Sequence, residues 1–587
     1  MRHQTFGKGP RGRVKRILQR GRTSLVGTVA KVPGGYELVL SEPFASRAVR
    51  LNPARIRKED VGALVYVKVT DWGEGWEPIK ADVEEVIGSS EDPLTDFKLV
   101  LRHFDLEPAF SEAVEGEVGR IIERIPIGPG PGRRDLRSLT TVTIDPATAR
   151  DFDDAISLKK LKDGRWELGI HIADVSLFVP QGSTTDREAF RRGNSVYFVE
   201  GVVPMLPHRL SSEVCSLKPD EDRLAVSVLV TMTDEAEVEG VRFSRSLIRS
   251  RRRFTYSEAH ELLEQGSGQW HSFFTSLKAL TEKLYHGRVE RGSVDFDIPE
   301  PLFKLDEYGV PHLIHPSERL DSHRIVEECM LLANRLVAER IPRGKSDKAF
   351  IYRIHDEPGQ EQLTKLSSLL RRLNLPGLPS RDVTSKEVRD LLLAMENSPY
   401  RDLIETITLR SMAKAIYSVS NRGHFGLAFP VYTHFTSPIR RYADLVVHRL
   451  VVDYLLAPQA PRTISTESLE KAAAQCTQRE LTATEAERMY GRLKELRFLA
   501  TQIGKDFRGI ISGVIPTGVF VQIREFLMDG FVNVEWLEDD DYTYDESHYA
   551  IRGRRFNRIF QLGQEVRIKV RDVSIERMFA NFLILEE

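Results

Sequence analysis

Both ends of the chain are written in short β-type runs punctuated by glycine, and the long middle is not. That contrast excludes one continuous fold. Between residues 24 and 90 the runs "LVGTVAKV", "GYELVL" and "ALVYVKV" follow one another closely. Between 506 and 587 the same grammar returns in "FRGIISGVIPTGVFVQI", "GFVNVEWL", "GQEVRIKVRDVS" and "ANFLILEE". Strands this short, with Gly turns, suit a small closed barrel at each end. After a "GSSEDP" linker, "TDFKLVLRHF" and "FSEAVEGEVGRII" read as helices and make residues 91–135 a helical linker. The block 136–500 mixes strands ("LAVSVLVTM", "WELGIHIADVSLFV") with helices ("DSHRIVEECMLLANRLVAERI", "ERMYGRLKELRFLATQI") at helical apolar spacing. It shows no fixed-period repeat and no doubly wound alternation. The expected class is α+β multidomain, with a mixed α/β body between two barrels.

Composition narrows the function. No stretch approaches the roughly 20 apolar residues of a membrane span, and the N-terminus lacks an apolar secretory segment. A soluble, cytoplasmic protein with no membrane partner, acting as a monomer, is the expectation. Cys215, Cys329 and Cys476 lie far apart and form no CxxC pair. Zinc and a disulfide framework are therefore disfavoured, and a catalytic metal would need oxygen ligands. The formal charge of -2 balances 84 basic against 86 acidic residues, so any nucleic-acid contact must use a local surface. Residues 1–23 carry eight Lys and Arg and no acid, from Arg2 to Arg22. This basic flexible arm either touches phosphates or is a solvated tail.

The sharpest local feature is "VTIDPATARDFDDAIS". Asp145 closes a β-branched run, Pro146 holds it extended, and Asp151, Asp153 and Asp154 follow after a short loop. Carboxylates gathered this closely repel one another unless cations intervene. Hard divalent ions with oxygen ligands answer that, and Mg²⁺, one ion or two, is the usual choice where phosphate is also a ligand. A surface acidic loop is the plain alternative, but apolar "TVTI" and "AISL" on either side indicate a loop emerging from a core.

A second constellation is "YTHFTSPIRRYADLVVHRL". Ser437 suits an N-cap and Pro438 the first helical position, which predicts Arg440 and Arg441 in the first turn. Cations there oppose the helix dipole but suit an anion site. A pair of solvated arginines is the alternative.

With these motifs in order, the sequence resembles the ribonuclease II/ribonuclease R (RNB) family of 3′-to-5′ exoribonucleases, nearer ribonuclease R. "DLRSLTTVTIDPATARDFDDAI", "GIHIADVS", "RGNSVYFVEGVVPMLPHRLSSEVCSLKPDEDRLAVSV", "RGSVDFDIPEP" and "YTHFTSPIRRYADLVVHR" carry the likeness over about half the chain. The first barrel looks like a cold-shock-type OB domain and the last like an S1-type OB domain. One cold-shock domain is found where members usually carry two. The N-terminal helix-turn-helix and Lys-rich tail of longer members are not seen, Leu177 stands where a His is common, and Asn533 stands where an S1 domain often has His.

The resemblance implies processive, Mg²⁺-dependent hydrolysis of single-stranded RNA to nucleoside 5′-monophosphates. It makes Asp145, Asp151 and Asp154 metal ligands, Asp153 the carboxylate tied most directly to cleavage, and Arg440 the contact to the scissile phosphate. Arg441, Glu487 along the RNA path, Tyr197 as a base-stacking aromatic and Phe520 in the last barrel are the expected RNA-binding residues. Glu487 is otherwise an ordinary exposed helix residue, and Phe520 a core phenylalanine. Dedicated 3′-end trimming of stable RNAs and a non-catalytic RNA-binding protein are the competing readings. The second predicts losses in the acidic loop or at Arg440, and the sequence shows none.

Overall fold

The structure, a computed structural model, describes residues 23–585 apart from 41–46, 297–298, 300, 342–348, 373–374, 380–382, 397, 399–400, 458–463 and 546–548. The proposed basic arm, but for residue 23, lies outside the described residues.

Strands Ser24–Val32, Gly35–Leu40, Val49–Leu51, Ala63–Asp71 and Ile79–Ser89 close into a barrel, the fifth lying between the third and fourth. Alternate residues such as Leu25, Val29, Val65 and Val67 fill its interior. Helices Thr95–His103 and Glu112–Arg124 follow, as the linker pattern predicts. A second barrel is built from Asp506–Ile515, Gly518–Ile523, Met528–Asn533, Glu565–Ser574 and Phe579–Ile584.

The body is organised on a seven-stranded sheet. Its order is Arg252–Thr255, Thr141–Asp145, Asp154–Lys160, Trp166–Ala173, Asp222–Met232, Val238–Arg249 and Arg133–Asp135. Both edge strands pair parallel to their neighbours and the rest are antiparallel. Thr141–Asp145 is buried along its whole length, which is why it reads as a continuous β-branched run. Helices Asp321–Arg340 and Tyr442–Val451 pack into the same core. The helix Thr466–Ala500, 35 residues long and capped by the Ser465 hydroxyl, joins the body to both barrels. The predicted helix "ERMYGRLKELRFLATQI" is its C-terminal half.

Two local readings change. The run "WELGIHIADVSLFV" is a strand only to Ala173, and Val175–Phe178 is a helical turn. The buried Asp174 makes the break, because its carboxylate accepts from Arg133 at 2.6 Å and faces Arg245 at 3.5 Å. Strands Tyr542–Asp545, Ala550–Gly553 and Ile559–Gln561 form an extra three-stranded sheet beside the last barrel. Among the described residues no helix is long and apolar enough to cross a membrane, and all three cysteines are free and buried.

Candidate active site

The four aspartates stand at one end of the central sheet because their loop joins two adjacent strands. Asp145 is the last residue of Thr141–Asp145, and Asp154 the first of Asp154–Lys160. The loop between them is pinned from outside. Arg253 donates to the carbonyls of Pro146 and Ala147 at 2.5 and 3.1 Å. Phe152 N–H donates to the Ser216 hydroxyl at 3.0 Å, and Ala173 N–H to the Asp153 carbonyl at 2.9 Å.

Asp145 and Asp153 are 9% and 4% exposed. Asp153 Oδ1 accepts from Ile439 N–H at 2.8 Å, while Oδ2 faces Arg440 Nε at 3.6 Å. Asp145 Oδ2 and Asp153 Oδ2 are buried and take no hydrogen bond. Burial raises Asp145 to about 8, with the neighbouring Asp154 adding to it. Burial likewise lifts Asp154 to about 6, against the pull of Arg440 and Arg441. It drives Asp153 well above the carboxylate range although Arg440 and Ile439 N–H oppose it. The free protein thus holds acids that await a cation or retain protons.

The second constellation meets the first across 286 residues of sequence. Its helix does not begin where Ser437 and Pro438 predict. Residues 437–440 form a turn, with Arg441 N–H donating to the Ser437 carbonyl at 2.9 Å. Arg441 is the extended cap residue of Tyr442–Val451 and pairs with Asn194 instead. That tertiary pairing overrides the local cap signal. The two arginines therefore part. Arg440 is 44% exposed in its side chain, donates to the Ser437 hydroxyl at 2.9 Å and stands over Asp153. Arg441 turns inward and grips Asp444 through two bonds of 2.9 and 2.8 Å.

The segment that pairs with residues 440–442 is the one that delivers Tyr197. Ser195 N–H donates to the Arg440 carbonyl, and Tyr442 N–H to the Gly193 carbonyl. Gly193 is required there, because φ is 72° and an added Cβ would stand 2.4 Å from that of Arg479. Beneath, Arg449 and Tyr442 share Asp186 at 2.7 and 2.9 Å and lock helix Tyr442–Val451 to helix Thr184–Arg192. Tyr197, 42% exposed, donates its hydroxyl to Asp151 Oδ2 at 2.7 Å, and its N–H donates to Glu487 Oε1 at 3.0 Å. Asp145, Asp151, Asp153, Asp154, Arg440, Tyr197 and Glu487 thus form one connected cluster, with Arg441 behind it. Phe520 is not part of it. It lies on the last barrel, exposed between buried Val519 and Val521 and paired with Phe531, so the core reading fails.

Tyr256 was missed by sequence reading. Both Asp154 and Asp145 raise its phenol, after burial, and its ring stacks on His323 at 3.9 Å. Only the parallel pairing of Arg252–Thr255 with Thr141–Asp145 brings it there, and no local pattern announces that pairing.

The chain has known counterparts. Residues 133–457 match the model of the RNB domain, and 39–111 that of a cold shock domain. Ribonuclease R of Aquifex aeolicus is 35% identical over 98% of this chain and 82% of its own. The chain belongs to the ribonuclease R family. Ribonuclease R of Thermotoga maritima is 36% identical, over 98% of this chain and 83% of its own. The Mycoplasma genitalium RNase R structure in complex with ribose methylated single-stranded RNA superposes with TM-score 0.89 at 26% identity, covering 97% of this chain and 91% of that one. Membership in the ribonuclease R family supports 3′-to-5′ exoribonuclease activity.

Proposed function

We propose that the chain hydrolyses single-stranded RNA processively from the 3′ end, releasing nucleoside 5′-monophosphates in a Mg²⁺-dependent reaction. One observation carries the reading: the loop with all four aspartates faces Arg440, with Tyr197 bonded to the same loop.

The residues fit a hard cation. All the donors are oxygen, and two buried carboxylate oxygens have no hydrogen-bond partner. Among the described residues no three His, Cys, Asp or Glu side chains surround a single point as a ready cage. That suits Mg²⁺, which takes one or two carboxylates and completes its shell with water and substrate phosphate. Asp145, Asp151 and Asp154 would divide one or two ions between them, each ion taking one or two of these carboxylates. When bound, the metal acidifies a water and offsets charge on the leaving oxygen. The water oxygen joins phosphorus, the bond to the 3′ oxygen breaks, and that oxygen takes a proton. Asp153 presents its free Oδ2 beside Arg440, whose guanidinium supplies hydrogen bonds to the phosphate as charge builds. Tyr197 stacks on a base near the 3′ end and holds it without reading its identity, at about 1–3 kcal/mol. Glu487 fixes the Tyr197 backbone, Arg441 adds positive potential from behind, and Phe520 offers a second stacking face on an S1-like barrel. Three buried free thiols suit a reducing compartment, in keeping with a cytoplasmic protein. The complete acid loop and Arg440 disfavour a non-catalytic RNA-binding protein. Narrow trimming of stable RNAs would use this same chemistry.

Internally labelled single-stranded RNA should yield nucleoside 5′-monophosphates. Nucleoside 3′-monophosphates as the product would contradict the reading. A second expectation comes from the raised acids. A carboxyl raised to about 8 in the folded chain stabilises it fully below the ordinary carboxylate range, and that support is lost as pH rises through about 8. The metal-free protein should therefore lose melting temperature between about pH 6 and pH 8. Mg²⁺, which competes with protons for these oxygens, should restore more at the higher pH. A Mg²⁺-induced shift that is larger at the lower pH would refute this.

A further inference from the structure

The hairpin that carries Tyr197 has little to hold it on its own. Its strands Val196–Tyr197 and Val202–Val203 are two residues each, a pairing that is marginal alone, and Val199 and Val202 face solvent. Its position comes from a stripe on the long helix, where Glu487, Tyr490 and Lys494 share one face. Tyr490 meets the Phe198 ring edge-on at 5.2 Å, and Phe97 meets it at 5.3 Å. Lys494 is wholly buried, with a side-chain exposure of 0%. Its Nζ lies 3.0 Å from Glu200 Oε1, in the turn of the hairpin, and 3.2 Å from Asp96 Oδ2. It also donates to the carbonyls of Pro93 and Gly309 at 3.1 and 3.0 Å. Asp96 is gripped in turn by Arg497 at 2.8 Å. An ammonium buried this deeply holds its place only with such partners, so it draws the hairpin turn and helix Thr95–His103 to one point.

We propose that Lys494 is a positioning residue. By tying Glu200 and Asp96 to the long helix, it fixes where the Tyr197 ring stands relative to Asp151. It thereby sets how many 3′-terminal nucleotides must be held for cutting to continue. The inference rests on the stacking role proposed for Tyr197. Loosening the hairpin leaves Asp145, Asp153, Asp154 and Arg440 in place, so the chemical step persists on long RNA while short RNA is released early.

The test digests 5′-labelled RNA with the full chain and with Glu200→Gln, Lys494→Met and Tyr197→Ala. Glu200→Gln and Lys494→Met should each leave a longer end fragment. They should raise KM for short RNA about three- to tenfold, a part of what one stacked base contributes. The kcat on long RNA should stay within about twofold, whereas a general loss of fold would lower it. Should Lys494→Met fail to fold by circular dichroism, Glu200→Gln decides alone, since Glu200 reaches the surface. A wild-type end fragment from folded Glu200→Gln, with a longer one from Tyr197→Ala, overturns the role of Lys494. An unchanged fragment from Tyr197→Ala removes the stacking role itself, and the inference with it.

Discussion

Asp153→Asn is expected to lower kcat by about 10³-fold or more while leaving the affinity for single-stranded RNA within a few-fold, because a group acting only at the reacting centre contributes to the barrier and not to strand binding. The geometry explains why so small a change is so costly. The Asn carbonyl can keep the bond from Ile439 N–H, made at 2.8 Å in the parent chain. The amide nitrogen then replaces Oδ2, 3.6 Å from Arg440 Nε, and sets donor against donor where an acceptor oxygen stood. Tyr197 and Glu487 are untouched, so the strand still binds. Burst and binding measurements separate the two effects, and retained turnover would remove Asp153 from its assigned place.

Arg440→Ala is expected to cost about 10²–10³ in kcat, the scale of one lost donor to a developing oxyanion. On the proposed mechanism the loss should fall on kcat more than on KM, because the guanidinium faces Asp153 and the Tyr197 ring is left in place. It also removes the main opposing charge on Asp153, whose carboxyl would rise further above its ordinary range. Arg440→Lys should recover only part, since an ammonium lacks the planar fork that bonds the Ser437 hydroxyl at 2.9 Å while addressing an anion. A kcat within twofold of wild type for Arg440→Ala would contradict the assignment.

Much of this was legible in the residues. The barrels and the loop of Asp145, Asp151, Asp153 and Asp154 are local patterns, because alternation and Pro146 act over a few residues. What escaped depends on pairing at a distance. Ser437 and Pro438 promise a helix start, yet Arg441 is drawn extended by Asn194 and the helix waits until Tyr442. Arg440 and Arg441 look equivalent in sequence, but only the fold sends one to Asp153 and the other to Asp444. Tyr256 carries no signal beyond a capped helix start. The strands Tyr542–Asp545, Ala550–Gly553 and Ile559–Gln561 are only three or four residues each, too short to show the apolar alternation that marks the barrels.

The central proposal is that the acidic loop is a metal-dependent centre that works from one end. Digestion of a 5′-labelled single-stranded RNA, sampled over time with Mg²⁺ and with EDTA, tests both at once. The expected result is a descending ladder that retains the 5′ label, accumulation of a short end fragment, and loss of all cleavage in EDTA. Internal cuts appearing before the ladder, or full activity in EDTA, would contradict it.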